Sequence, residues 1–143
     1  MPRSQTAQKL VDNMEAFNVE GAAAVERIAE LYSFDVFFQD PIQTLTGLEP
    51  FLETNRRMMA RAKSLEVQIG ELVEGNDQIF VSWKMRFSPK MGPAIAIEGC
   101  THCRIGADGK INYHRDYWDL LGSVMDGMPV VAPIYRMLVK RLG

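Results

Sequence analysis

Apart from a short strand at 34–40, apolar residues along this chain keep a helical spacing as far as about Ala62. They then alternate strictly until Trp118 and return to helical spacing near the end. Leu10, Val11, Met14 and Phe17 predict a first helix over 5–17, with Ser4 placed to cap it. Ala22, Val25, Ile28, Ala29 and Tyr32 predict a second over 19–32, against which Gly21 near its start is a mild objection. Phe34 to Asp40 is a short strand halted by Pro41, and Leu48 to Ala62 is a third helix whose first turn tolerates Pro50. Its Phe51, Leu52, Met58, Met59 and Ala62 supply core, while Arg56, Arg57, Arg61 and Lys63 form a solvated basic edge.

Twofold alternation begins after Lys63. Leu65, Val67 and Ile69 define one strand, and Gly75-Asn76-Asp77 turns the chain into a second carrying Val81, Trp83, Met85 and Phe87. Ser88 to Pro93 reads as a loop, Ala94 to Ile105 as a third strand, and 110–118 as a fourth. The Asp108-Gly109 pair joining the last two is a strong hairpin signal, because both turn positions tolerate positive φ. A final helix over 130–142 sets Ile134, Met137, Leu138 and Leu142 against Arg136, Lys140 and Arg141.

Helices followed by hairpin-linked strands predict an α+β domain, one unit over 1–143. Its curved antiparallel sheet forms a cone, with the N-terminal helices on the concave face. A pocket then lies against the inward side chains. In the last strand His114, Asp116 and Trp118 share one face, and Tyr113, Arg115 and Tyr117 share the other. A carboxylate between an imidazole and an indole is costly to bury without a purpose, so the first face is the candidate site. Asp116 can serve as a general base with His114 assisting, or it can be a structural acid bonded to a backbone amide or to an arginine. Asp40 is a second candidate acid, although Asp before Pro also starts turns.

Composition narrows the function classes. A net charge of -2 gives no basic face for nucleic acid, and no apolar run approaches the length that spans a bilayer. The first five residues lack a leader's apolar core, so a cytoplasmic protein is expected. The final basic helix reads as a lid or dimer element rather than a membrane anchor. Cys100-Thr101-His102-Cys103 has the spacing of a redox pair or half a zinc site. Within a strand, however, positions three apart face opposite ways, and no second cysteine pair exists. Two reduced thiols and no metal or cofactor are expected.

The stretches Leu31-Tyr32-Ser33-Phe34-Asp35, Phe38-Gln39-Asp40-Pro41 and Arg115-Asp116-Tyr117-Trp118-Asp119 resemble the nuclear transport factor 2-like superfamily, nearest its SnoaL-like branch. That resemblance implies the cone fold, a small hydrophobic ligand, and a homodimer through the outer sheet face bearing Tyr113, Arg115 and Tyr117. Asp40-Pro41 is similar to the proton-shuttling Asp-Pro of ketosteroid isomerases. The hydroxyl and acid of their oxyanion hole fall near Met14 and Thr101. His114-Arg115-Asp116-Tyr117-Trp118-Asp119 is similar to the Trp-Arg-Asp-Tyr-Phe-Asp run of limonene epoxide hydrolases. The place of their second carboxylate falls near Lys84-Met85-Arg86. In SnoaL-like cyclases the acid-base Asp lies on the last strand, where Asp116 stands. Tyr32, Trp118, Trp83 and Thr101 are the expected pocket lining. The alternatives are an acid-base isomerase, cyclase or lyase, a non-catalytic binding module, and an interaction domain whose cone is filled by its own side chains.

Overall fold

The computed structural model describes residues 3–124 and 128–143, so Met1 and Pro2 of the segment read against a leader lie outside it. Helix α1 (Gln5–Glu20) starts where Ser4 Oγ accepts from the Ala7 amide at 3.1 Å. It ends at Gly21, whose φ of 57° few other residues adopt without strain. The predicted second helix is therefore two short turns, α2 (Ala23–Glu26) and α3 (Ile28–Leu31). Buried Asn13 fixes α1 against α2 by donating from Nδ2 to the Ala24 carbonyl.

Strand β1 (Tyr32–Gln39) begins two residues before the predicted start and is followed by a three-residue strand, β2 (Thr44–Thr46). Helix α4 (Leu48–Arg61) turns Phe51 and Leu52 into the core. Long strands follow, β3 (Ala62–Gly75), β4 (Gln78–Pro89), β5 (Ile95–Ile105) and β6 (Ile111–Trp118). The short helix α5 (Leu120–Val124) packs on β5, and α6 (Val131–Leu142) closes the chain.

The sheet is a single open layer in the order β2-β1-β6-β5-β4-β3. From β3 to β6 every pairing is an antiparallel hairpin, as alternation predicts. The expectation of an antiparallel sheet needs correcting at one seam, where β1 lies parallel to β6. Strand β2, helix α4 and the three strands β3 to β5 separate those two strands in sequence and return the chain to the same end, which makes the parallel match. The seam carries an irregularity between Tyr32 and Phe37, and Ser33 Oγ donates to the Ile111 carbonyl there.

The core lies between the helices and the inner sheet face. It contains Leu10, Val25, Ile28, Val36, Ile79, Val81 and Ile111, all nearly inaccessible. Each such aliphatic side chain contributes about 1.5–3 kcal/mol by leaving water. Helix α1 is tied to β3 by Asn18, whose side-chain amide donates to the Val67 carbonyl and accepts from the Val67 N–H.

Candidate functional site

Strand register sets the inner face out in rows. Cys103 opposes His114, Thr101 opposes Asp116, and Gly99 opposes Trp118. On the other side of β5, Ile79, Val81 and Trp83 face the same three positions. Burial changes along this lattice. Cys103 and Ile79 are sealed, Thr101 is 1% exposed, and the Asp116 side chain reaches 22%. Trp118 beyond it is half-buried. The cone opens at the Asp116 and Trp118 end.

A chain of hydrogen bonds crosses these rows. Trp83 Nε1 donates to Thr101 Oγ1 at 2.8 Å, and Thr101 Oγ1 donates to Asp116 Oδ1 at 2.6 Å. Its direction is forced, because an indole N–H can only donate. His114 Nε2 donates to the same Oδ1 at 2.8 Å, and His114 Nδ1 lies 2.7 Å from the Tyr32 hydroxyl. Cys103 Sγ stands 3.7 Å from Nδ1. Among the described residues no donor reaches Asp116 Oδ2. One carboxylate oxygen is held from beneath by two donors while the other is left unengaged.

Electrostatics follow from that geometry. Burial is the largest single effect and works against a charged His114, but the Asp116 carboxylate, with smaller contributions from Tyr32 and Cys103, turns the balance and holds the imidazole's pKa well above its ordinary value. With both ring nitrogens protonated, Nε2 donates to Asp116 and Nδ1 to the Tyr32 oxygen. Burial raises the Tyr32 phenol above its ordinary range, so it stays a neutral hydroxyl. The rings of Tyr32, Phe38 and Phe51 surround the imidazole, with centroids 5.7, 5.2 and 5.6 Å away.

The candidates therefore separate into two tiers. Asp116 and Trp118 stand toward the opening. His114, Thr101, Tyr32 and Trp83, all under 9% exposed, lie beneath it. Asp40 is not part of this chain. Its Oδ1 accepts from the Ile42 and Gln43 amides, the turn role open to any Asp before Pro. Met14 packs against the core. The residue facing Asp116 from the next strand is Thr101, whereas Lys84 lies one strand further on and pairs with Glu98.

The space predicted between Asp40, His114 and Trp118 is filled around His114 by the Phe38, Phe51 and Tyr32 rings. A cavity of about 210 Å³ lies beside Trp83 and Gly99, and one of about 590 Å³ lies at the turn end near Gln78, Arg104 and Asn112. Sequence reasoning missed the aromatic jacket of Phe38 and Phe51. It also missed Gly99, where any Cβ would come within 2.6 Å of the Trp83 ring. A glycine opposite a tryptophan on a central strand was the available signal. Cys100 and Cys103 are both free, and among the described residues no group of His, Cys, Asp and Glu could hold a metal. No described helix is long and apolar enough to cross a membrane.

Comparison with known proteins agrees with this fold. A search of curated proteins by sequence finds no match. A nuclear transport factor 2-like protein of unknown function from Exiguobacterium sp. 255-15 superposes with a TM-score of 0.69 at 20% identity, over 81% of this chain and 99% of that one. A candidate SnoaL-like polyketide cyclase from Jannaschia sp. CCS1 gives 0.70 at 19%, over 92% and 97%. An LEH-like epoxide hydrolase from M. tuberculosis gives 0.71 at 17%, over 97% and 99%. At such identities the likeness carries the fold alone. Residues 11–114 match the family model of the SnoaL-like domain, and the chain belongs to that family.

Proposed function

We propose that this chain binds a small hydrophobic molecule at the open end of the cone and moves a proton on it with Asp116, as an isomerase, cyclase or lyase does. One observation carries the reading. Asp116 Oδ1 is fixed by Thr101 and His114, no donor among the described residues engages Oδ2, and the side chain stays accessible. Oδ2 takes a proton from an acidic C–H and returns it to another atom of the same molecule, so the carboxylate ends as it began. His114 beneath supplies a fixed positive charge and is a positioning residue. Trp118 offers an apolar wall.

A second reading is a non-catalytic binding or interaction module, favoured by the rings packed around His114 and by the lack, among the described residues, of an oxyanion donor beside Asp116. Tryptophan fluorescence against a panel of apolar carbonyl compounds, followed by turnover of each binder, separates the two. Asp116→Asn should keep binding and lower turnover by orders of magnitude. Binders that are never turned over would leave only the second reading.

The outer face supports association with a second copy. Phe37 stacks on Tyr113, His102 meets Tyr113 edge-on, and Phe80 stacks on His102 at 4.2 Å. Phe80 and Tyr117 remain nearly half exposed. A homodimer through this face should dissociate in Phe80→Glu, as read by sedimentation velocity; a monomeric parent protein would end that proposal. Two free thiols fit a reducing, cytoplasmic setting.

A further inference from the structure

Oxygen Oδ1 of Asp116 has no room for a proton. A carboxylate oxygen offers two lone pairs, and on Oδ1 both are taken, one by the Thr101 hydroxyl at 2.6 Å and one by His114 Nε2 at 2.8 Å. The imidazole proton is fixed by its ring. The hydroxyl proton is not, because it rotates about the Cβ–Oγ1 bond to suit whatever acceptor is near. If it swung away, a lone pair on Oδ1 would open.

Trp83 prevents that swing. Its indole N–H donates to Thr101 Oγ1 at 2.8 Å, so the hydroxyl proton cannot point that way. Thr101 is 1% exposed, and among the described residues Asp116 Oδ1 is the only acceptor its hydroxyl meets. The indole in turn keeps its place because residue 99 has no side chain. A Cβ there would come 2.6 Å from Trp83 Cζ2 and Cη2, beside the N–H, and 2.8 Å from the Tyr117 carbonyl oxygen.

We propose that Trp83 is a positioning residue that confines any proton taken up by Asp116 to Oδ2. This rests on Asp116 as the base proposed above and adds an address for the proton. When a ligand C–H bond breaks, its electron pair stays on the ligand and the proton bonds to Oδ2. It does not pass to His114, whose Nε2 already carries one. The same proton is then at hand for return to another atom of the same molecule.

The test is infrared difference spectroscopy of the full chain between neutral and acid pH. Subtracting the same difference for Asp116→Asn isolates the Asp116 band. With the proton on Oδ2 the carbonyl is C=Oδ1, and its two donors lower the stretching frequency. Trp83→Phe keeps a ring, removes the N–H and should raise that frequency. Thr101→Val should raise it further, and Thr101→Ser should leave it at the parent value. NMR titration of His114 is a second measure that needs no acid. Losing the rival donor leaves more of the Oδ1 charge to the imidazole, with Tyr32 and Cys103 beside it unchanged. Its proton affinity should therefore rise roughly threefold or more in Thr101→Val. A parent band at the frequency of an unbonded carbonyl, a band unmoved by Trp83→Phe, or a His114 midpoint unmoved or lowered in Thr101→Val would each overturn the proposal. No ligand enters either measurement, so failure to find a substrate and failure of the proton's address are separate outcomes.

Discussion

His102 and His114 occupy neighbouring rows of the same sheet on opposite faces, and they are almost equally covered, at 8% and 7% exposure. Outside, His102 lies flat on Phe80 and donates from Nε2 to Gln78 Oε1. Burial, helped by the Arg104 charge, pushes its pKa below the ordinary value. Inside, His114 lies deeper still and burial pulls its pKa down harder, yet the Asp116 carboxylate 2.8 Å away, with Tyr32 and Cys103 adding to it, raises it. Depth does not decide whether a histidine is charged. The partner it is given does.

Removing that partner is the strongest way to break the contrast. Asp116→Asn should lower turnover by about 10²–10⁴-fold, the range set by general acid-base groups. It should also let burial win at His114, so that NMR titration finds its pKa below the ordinary value while His102 stays unmoved. A His114 signal that still titrates high in this variant would show that the carboxylate is not its source of charge.

Thr101→Val comes next. It strips Asp116 of one donor and leaves the buried Trp83 N–H without an acceptor, a loss of about 1–3 kcal/mol in urea unfolding. Retained stability would mean the indole finds another acceptor.

Acidity sharpens the comparison further, because the two rings contribute with opposite signs. His114 has a raised folded pKa, so its contribution is complete below about pH 6.5 and is lost as pH climbs through the folded value. For His102 the folded pKa is lowered, so stability falls as pH drops from about 6.5 towards that value. Urea midpoints against pH should lose their acid-side slope in His102→Gln and their alkaline-side slope in His114→Gln. Loss of the same slope in both variants would contradict the pairing.

Tyr32→Phe should have the smallest effect, about 1 kcal/mol for one hydroxyl hydrogen bond. A loss several times larger would make Tyr32 the group that orients the imidazole, not an accessory to Asp116.

Much of this was readable in the chain because strand alternation is a local property. It placed His114, Asp116 and Trp118 together, and it placed Cys100 and Cys103 on opposite faces, where one is sealed and the other half-exposed. What escaped was non-local or too short to show a period. Strand β2 has three residues and α5 has five, and the parallel seam between β1 and β6 joins segments some seventy residues apart. The enclosure of His114 by Phe38 and Phe51 depends on that seam and on how α4 lies across it. For the same reason Asp40 could not be separated from Asp116 by sequence alone. Both are acids near strand ends, and only the turn amides that engage Asp40 distinguish them.

The Asn18 contact has a consequence for how the protein behaves at high concentration. Strand β3 is a rim of the sheet, fourteen residues of backbone that another chain could adopt as a template for fibrillar growth. By lending its side-chain amide as a counterfeit peptide group at Val67, Asn18 blocks that template near its middle, and α1 stands across the approach. The residue that anchors a helix thus also keeps the molecules from polymerising along their longest open margin.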